Sequence, residues 1–233
     1  MGTDLAQVRR VHANYEHLQD LVIKVLTNLA TASDYETGCH LVRSQRYVEV
    51  LAKALQNHPR FSDVLAGENL KWMVMGAPLH DIGKVGIPEG ILLKPYRLSA
   101  PEWEVMKTHA KRGADLLRKA VESVPHSFRF MEIAIEIAHW HHEQWDGLGY
   151  PDGLKGEEIP ASARLMAVAD VFDALISSRP YKSGLSLNDA KAAIERGRGT
   201  QFDPAVVDAF CACFDDITAI FKLNPDNPPD RRS

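Results

Sequence analysis

Apolar residues recur every three or four positions along most of this chain, and that period predicts helices. In residues 1–32 the spacing alternates between four and three, at Val11, Tyr15, Leu18, Val22, Val25 and Leu29. Barely three such repeats are too few to establish a coiled coil. We therefore predict one amphipathic helix, which either packs on the following domain or forms a stalk that dimerises or transmits a signal.

Polar residues typical of helix starts precede the later apolar stripes. Residues 33–36, Ser-Asp-Tyr-Glu, have the form of a capping box. The helix after them has an apolar stripe at Leu41, Val48, Leu51 and Leu55. Further helix starts are predicted at Ser99, Pro160, Ser186 and Asp203. Residues 144–160 are rich in glycine and proline and are predicted to be a loop.

The whole chain is predicted to be all-α, because no alternating apolar run is long enough to require a sheet. Residues 33–222 are expected to form one domain. The tail, residues 223–233, is polar and rich in proline and is expected to be disordered.

Composition limits the kinds of partner and location. The chain has 233 residues, of which 45% are hydrophobic and 25% charged, which suits one globular domain. Its net charge of −4 offers no basic footprint for a nucleic-acid polymer. Three cysteines without a CxxC pair indicate reduced thiols. Since neither a signal peptide nor a membrane-spanning run is visible, we expect a cytoplasmic protein with no membrane partner.

Imidazole and carboxylate groups are gathered in a few short stretches that suggest a polynuclear metal site. They are Glu36, His40, His80, Asp81, His109, His141, His142 and Asp170. Such donors suit zinc, iron and manganese. The adjacent pair His80-Asp81 is central, because the carboxylate can bridge two ions while the imidazole holds one. Lys84 adds a cation beside it, and the glycines at positions 83 and 86 are expected to let the backbone turn sharply.

Several of these residues also have ordinary explanations. His109 alone would be a satisfied core histidine, whereas Asp170 lies among apolar neighbours and needs a cation or strong donors if buried. Asp173, one turn later, is a candidate acceptor that orients a ligand imidazole. Glu36 either caps its helix or binds metal from the face that it shares with His40, and the sequence chemistry favours neither. The remaining histidines, His139 among them, are interpreted as surface or packing residues.

Longer motifs resemble a known family. The strings HDIGKVGIPEGIL, MKTH, HHEQWDGLGYPDGLKGEEIP and ADVFDALISSRPYK are similar to those of the HD-GYP branch of the HD phosphohydrolases. The resemblance covers roughly residues 34–214. It implies an HD-domain-type helical bundle and a bacterial phosphodiesterase that hydrolyses cyclic di-GMP to pGpG or GMP.

The resemblance also implies roles for individual residues. The family's metal ligands fall on His80, Asp81, His109, His141, His142 and Asp170. Members with a third ion add a glutamate and a histidine, which match Glu36 and His40 and favour ligation there. Lys84, Arg179 and Lys182 match phosphate-contacting positions, and Tyr150 is similar to a residue that lines the substrate loop. The implied cofactors are two or three divalent ions, Fe or Mn.

From this resemblance we expect Asp81 to bridge two ions, with a hydroxide between them as the nucleophile. A third ion at Glu36 and His40 would favour hydrolysis beyond pGpG to GMP. Expected partners are a second copy of the chain through the N-terminal helix, and a regulatory sensory domain or GGDEF-type protein. Two alternatives remain: an effector module with little turnover, or a hydrolase of another cyclic dinucleotide such as cyclic GMP-AMP.

Two positions depart from the family pattern. Tyr96 follows Lys94-Pro95 at the position where the family commonly has the glycine of a Lys-Pro-Gly motif. If that position required a positive φ, tyrosine would strain or reshape the turn. Ile176-Ser177 stands where threonine-serine is usual, a change that we expect to be minor.

Overall fold

The computed structural model describes residues 38–122, 129–178 and 183–225, together with the isolated positions 21 and 25. Apart from positions 21 and 25, the predicted N-terminal helix lies outside the described residues, and so does the capping box at residues 33–36. So do Glu36, Arg179 and Lys182, and the tail after residue 225.

The described ranges are helical and contain no β-strand, which confirms the predicted all-α class. We number the α-helices in chain order as α1 Gly38–Leu55, α2 Asn69–Gly76, α3 Glu89–Leu92, α4 Ala100–Val121, α5 Arg129–Trp140, α6 Ala161–Ile176, α7 Leu187–Arg196, α8 Pro204–Ala212 and α9 Phe214–Leu223. Three short 3-10 helices span Ala77–Leu79, Ile82–Gly86 and Gly156–Glu158. Among the described helices, none combines the length and the apolar character needed to cross a bilayer.

Side-chain caps fix several helix starts where the sequence predicts them. Ahead of α4, the Glu102 carboxylate accepts hydrogen bonds of 2.7 Å from both the N–H and the hydroxyl of Ser99. At α7, Ser186 Oγ accepts from the N–H of Asp189 at 3.1 Å. The Asp203 carboxylate accepts from a backbone N–H at the start of α8 at 2.8 Å. These bonds satisfy donors that the first turn of a helix leaves unpaired.

The main hydrophobic core lies between α1, α6 and the C-terminal helices. Phe172 of α6 is fully buried at its centre. Its ring centroid lies 5.5 Å from that of Tyr47 in α1 and 5.0 Å from that of Phe210 in α8, both nearly edge to face. A smaller cluster packs beside α4 and α5, from Leu79, Ile82, Leu117, Ala134 and Ala138. The histidines and aspartates of the candidate site belong to, or lie at the ends of, helices that line these two clusters.

Gly83 brings the second 3-10 helix against α4. A Cβ atom at this position would lie 2.0 Å from the carbonyl oxygen of His109 and 2.5 Å from the amide nitrogen of Gly113. The backbone turns tightly at the glycines of positions 83 and 86, in the 3-10 helix Ile82–Gly86, without a positive φ at either glycine. Gly83 also permits a backbone contact that places Asp81 next to His109.

The turn at Tyr96 forms without a positive φ at the tyrosine. No non-glycine residue in the described ranges has a positive φ, and Tyr96 is one of them. Its side chain is 75% exposed, so the residue meets neither a backbone nor a packing constraint.

Truncation of the central core side chain tests this packing. We expect Phe172→Ala to lower the free energy of unfolding by about 3–5 kcal/mol, because it removes buried contacts with two aromatic rings and leaves a cavity. The control Leu223→Ala, at a side chain that is 80% exposed, should change it by less than about 0.5 kcal/mol. Urea denaturation at a fixed metal concentration measures both. Similar losses in the two variants would contradict this account of the core.

Candidate metal centre

Two neighbouring groups of donor atoms lie at the junction of the helices. Asp81, His109, His141 and His142 form the first, which we call the four-residue group. The second, the three-residue group, consists of His40, His80 and Asp170. Within each group the candidate ligand atoms lie within 4.8 Å of one another. The structure therefore brings together seven of the eight predicted donors, and the eighth, Glu36, lies outside the described residues.

Distant parts of the sequence contribute these donors. His40 belongs to the first turn of α1, and His109 to the middle of α4. His80 and Asp81 link the first two 3-10 helices, so two adjacent residues serve different groups. His141 and His142 follow the end of α5, and Asp170 lies in α6. Packing of four α-helices and one link is thus needed to assemble the site.

Backbone carbonyl groups orient three of the imidazoles. The Nδ1 atoms of His80, His109 and His141 lie 2.9, 2.7 and 2.9 Å from carbonyl oxygens one helical turn earlier, those of Ala77, Met106 and Ile137. A carbonyl oxygen can only accept, so each Nδ1 carries the proton. In the neutral ring the lone pair is then on Nε2, which faces the donor groups. This is how metal-binding histidines are usually oriented.

His40 shows why a cation fits the three-residue group. Its Nδ1 donates to Asp173 Oδ2 at 2.9 Å, so its Nε2 also carries a lone pair. That Nε2 lies 3.4 Å from Nε2 of His80. His80 Nε2 also lies 3.2 Å from Asp81 Oδ2, and Asp170 Oδ1 lies 3.7 Å from Nε2 of His40 and 3.9 Å from Nε2 of His80. Imidazole nitrogens and carboxylate oxygens gathered around one point suit a metal ion.

The four-residue group contains buried atoms that lack hydrogen-bond partners. In the described structure neither Asp81 Oδ1 nor His141 Nε2 forms a hydrogen bond, although both are inaccessible to solvent. Asp81 Oδ1 lies 3.1 Å from His109 Nε2 and 3.7 Å from His141 Nε2. Leaving such polar atoms unsatisfied is costly, and a cation held among them would satisfy both. The donor set therefore fits a divalent metal ion.

Electrostatics keep His141, His142 and Asp81 in the protonation states that bind metal. Burial lowers the pKa of His141 well below its ordinary value and that of His142 to about 3, and neighbouring imidazoles add to both effects. The two rings are therefore neutral at pH 7. Burial would raise the pKa of Asp81, but Lys84 and His80 hold it well below its usual range. The Lys84 ammonium lies 2.9 Å from Asp81 Oδ2, so Asp81 is anionic.

Tyr150 lies over one side of the four-residue group. Its ring stacks on His142 with centroids 4.7 Å apart, and Trp103 of α4 approaches it edge-on at 6.4 Å. Burial raises the pKa of Tyr150, so the phenol stays protonated. A groove of about 410 Å³ runs beside Tyr150 along α4, with cationic side chains at Lys107, Lys111 and Arg112.

The loop that contains Tyr150 is held by Glu143 and Gly149. Glu143 is 3% exposed, and its Oε1 accepts from the N–H groups of Asp152 at 2.7 Å and Gly153 at 3.0 Å. A Cβ atom on Gly149 would lie 2.3 Å from the amide nitrogen of Gln144. The loop therefore closes on its own backbone at a position where only glycine fits.

Two further predictions about side chains can be placed in the structure. Asp173, expected to support a ligand imidazole, accepts from His40 as described, and also pairs with Arg43, which the sequence did not single out. The signal for Arg43 was its position three residues after His40, on the same face of the helix. His139 is buried away from the donors, with Nδ1 2.8 Å from Arg118 and Nε2 3.1 Å from Asp152, as expected for a packing residue.

Comparison with protein families and known proteins gives a consistent result. A family model described as "HD domain" matches residues 65–206. A probable cyclic di-GMP phosphodiesterase from Vibrio cholerae is 50% identical over 204 residues, which are 88% of this chain and 46% of that protein. The cyclic di-GMP phosphodiesterase response regulator RpfG from Xanthomonas campestris is 40% identical, over 88% of this chain and 51% of its own length.

Another relative and a solved structure are also similar to this chain. A 3'3'-cGAMP-specific phosphodiesterase of Vibrio cholerae is 38% identical over 86% of this chain and 36% of that protein. The chain thus spans about half or less of the curated relatives that it matches. An HDG"Y"P protein from Bdellovibrio bacteriovorus has the same fold, with a TM-score of 0.56 at 19% identity, over 86% of this chain and 63% of that one.

Removal of one donor should reduce the metal content of the protein. We expect His141→Ala to lower bound metal and to reduce the stabilisation by added manganese, because an ion at 100 times its Kd contributes about 2.7 kcal/mol. The matched control is His139→Ala, a buried histidine outside both groups. Elemental analysis and thermal unfolding with and without Mn²⁺ measure the effect. Equal metal loss in the two variants, or none in His141→Ala, would contradict the assignment.

A methyl group at Gly149 should disrupt the loop over the site. Because the new Cβ would overlap backbone atoms of residues 143 and 144, we expect Gly149→Ala to destabilise the protein by about 1–3 kcal/mol. Gly90→Ala is the control, since a Cβ at position 90 meets no atom within 4 Å. There the same change, in a helix, should be neutral or stabilise by about 0.4–1 kcal/mol. Denaturant unfolding compares them, and an unaffected Gly149→Ala would refute the steric role.

Proposed function

Because the chain belongs to the HD-GYP branch of the HD domain family, we propose that it is a metal-dependent phosphodiesterase that hydrolyses cyclic di-GMP. The observation that carries the proposal is the pair of adjacent donor groups, which share the His80–Asp81 link and contain buried atoms that a cation would satisfy. Relatives named as cyclic di-GMP phosphodiesterases at 40–50% identity support the choice of substrate.

The residues have distinct tasks in this proposal. All seven described donors, together with Glu36, would hold two or three divalent ions: Glu36, His40, His80, Asp81, His109, His141, His142 and Asp170. Bound ions would supply Lewis-acid activation of the phosphodiester and of water. Asp81 is held anionic by Lys84 and would ligate in that state. Asp173 keeps a proton on Nδ1 of His40, so that Nε2 is the nitrogen that would ligate.

Cationic side chains would bind the phosphates of the substrate. Lys84 lies beside Asp81 and can also reach a non-bridging phosphate oxygen, where a positioned cation stabilises charge that develops during hydrolysis. Arg179 and Lys182 are proposed to bind phosphate from the segment after Ser177. Tyr150 is proposed to line the substrate pocket with its ring. The groove beside Tyr150 has three cationic side chains, Lys107, Lys111 and Arg112, and two acidic ones, Glu104 and Asp115, so its lining has a small positive excess in a chain whose net charge is −4.

The identity of the ions and of the product is part of the same proposal. Mixed imidazole and carboxylate donors suit iron or manganese. Glu36 is proposed to complete the three-residue group around His40, His80 and Asp170. An ion held there would help to bind the second phosphate, so that pGpG is hydrolysed further to GMP.

Cyclic GMP-AMP is a second candidate substrate. It is favoured by one observation, the 38% identity to a relative named as a 3'3'-cGAMP-specific phosphodiesterase. An effector module with little turnover is less well supported, because the donor groups retain every described ligand position. A homodimer through residues 1–32, a sensory domain or GGDEF-type partner, and a cytoplasmic location stay predictions from the sequence.

Product analysis after metal loading tests the proposed function. The protein is purified without oxygen, loaded with Fe²⁺ or Mn²⁺, and incubated with cyclic di-GMP or 3'3'-cyclic GMP-AMP, and the products are separated by chromatography. We expect cyclic di-GMP to be hydrolysed faster than cyclic GMP-AMP. Asp81→Asn should abolish turnover, because it removes the charge of a carboxylate donor and leaves a side chain of the same shape.

Two other outcomes would favour the alternative functions. Tight binding of cyclic di-GMP without turnover, with either metal loaded, would support the effector alternative. Faster hydrolysis of cyclic GMP-AMP would replace the proposed substrate but keep the class of reaction.

A further inference from the structure

Arg43 is a fully buried cation that lies one layer behind the three-residue group. It follows His40 by three positions in α1 and has no solvent-exposed surface. Its Nε donates to Asp173 Oδ1 at 2.6 Å, and one terminal nitrogen donates to Asp173 Oδ2 at 2.8 Å. The two planar groups therefore face each other through two parallel hydrogen bonds, the geometry in which arginine and carboxylate pair most strongly.

The same carboxylate also holds a metal-site imidazole. Asp173 Oδ2 accepts from His40 Nδ1 at 2.9 Å as well as from Arg43. The two-point contact with Arg43 fixes the plane of the carboxylate, and the carboxylate in turn fixes the direction in which His40 Nε2 points. Arg43 thus orients Asp173, and Asp173 orients the ring of His40. All three side chains are buried.

Arg43 also ties together three parts of the chain around this carboxylate. Its second terminal nitrogen donates to the backbone carbonyl of Asn224 at the end of α9, at 2.9 Å. Ser177 Oγ accepts from Arg43 at 2.8 Å and lies 3.2 Å from Asp173 Oδ2, to which it donates. Ser177 directly follows α6 and precedes the segment that contains Arg179 and Lys182. One guanidinium thus links α1, the end of α6 and the end of α9.

A buried charge pair of this kind is expensive to assemble. Desolvation offsets much of the attraction between the charges, so the pair contributes little net stability compared with well-packed apolar residues. Its geometry, in contrast, is unusually well defined, since the fork of arginine matches a carboxylate as the single ammonium of lysine cannot. The function of the pair is therefore better sought in the position that it imposes on its neighbours.

We propose that Arg43 is a positioning residue for one metal subsite: it holds Asp173, and through it His40, so that the three-residue group can bind an ion. The four-residue group has its own supports in backbone carbonyls and does not depend on this pair. Loss of the fork should therefore weaken one subsite selectively. The inference rests on the proposed function only in requiring that both groups bind metal.

Manganese binding by the whole chain tests this role. The protein is stripped with a chelator and titrated with Mn²⁺ by calorimetry, with bound metal counted by elemental analysis. Arg43→Lys keeps the charge but loses the fork, and we expect the three-residue subsite to bind Mn²⁺ about 10–100-fold more weakly, as is typical when a group that supports a ligand is changed. Affinity at the four-residue subsite should be unchanged, and excess Mn²⁺ should restore full occupancy.

The chain offers a matched control. Arg164 is 8% exposed and pairs with the fully buried Asp203 at 2.6 Å, so it is also a buried arginine–aspartate pair. Asp203 caps α8 and is not a metal donor. We expect Arg164→Lys to lower the melting temperature as much as Arg43→Lys does, while both Mn²⁺ affinities stay at the wild-type value. If Arg43→Lys does not fold, Asp173→Asn, a change of the same shape, should weaken the same subsite.

The outcomes separate this inference from the proposed function. Unchanged Mn²⁺ binding in Arg43→Lys would overturn the inference, and so would equal losses in Arg43→Lys and Arg164→Lys, or a wild-type protein that binds Mn²⁺ only at the four-residue group. Selective weakening would support it even if the protein hydrolysed no cyclic dinucleotide. In that last case the proposed function would fail while the positioning role would stand.

Discussion

The orientation of a few buried imidazoles is the constraint on which the rest of this site depends. Backbone carbonyls hold the Nδ1 protons of His80, His109 and His141, so the lone pairs of Nε2 converge on one small volume. Convergent lone pairs repel one another unless a cation lies among them. The helices therefore build a structure that is electrostatically incomplete without a cation, and they do so with main-chain groups that substitution of side chains cannot remove.

Close backbone contact makes that convergence possible. Asp81 reaches His109 because the 3-10 helix after it approaches α4 at Gly83, where any larger residue would meet a carbonyl oxygen of α4. Burial then has two effects of opposite sign. It lowers the pKa of His141 and of His142 and would raise that of Asp81, but Lys84 and His80 keep the carboxylate ionised. Packing and charge thus favour neutral imidazoles at His141 and His142 beside an anionic Asp81, whereas at His80 burial is outweighed by the carboxylates of Asp81 and Asp170, which raise its pKa.

Sequence reasoning succeeded where the signal is local. The helix starts at Ser99, Ser186 and Asp203 are predicted by capping residues within a few positions of each start. The all-α class follows from the spacing of three or four positions between apolar residues. It was incomplete where the cause lies in a distant segment: the sequence predicted the turn at Gly83 but not its contact with the main chain 26 to 30 residues away in α4. The pairing of Arg43 with Asp173 spans 130 positions, so the position of Arg43 on the helix face of His40 does not identify its partner. Likewise, the spacing of the donors did not indicate that His80 and Asp81 serve different groups.

The two donor groups differ in what holds them, and this difference bears on how the site can change. His80 and Asp81 are adjacent in one short, buried link, so the backbone couples the groups rigidly. The imidazoles at positions 109 and 141 are supported by carbonyls of their own helices, which persist as long as the helices do. His40 instead depends on a side-chain carboxylate held by one guanidinium, and that guanidinium also binds the ends of α6 and α9. Substitution can therefore alter the three-residue group without dismantling the four-residue group, which makes it the part of the site most open to variation.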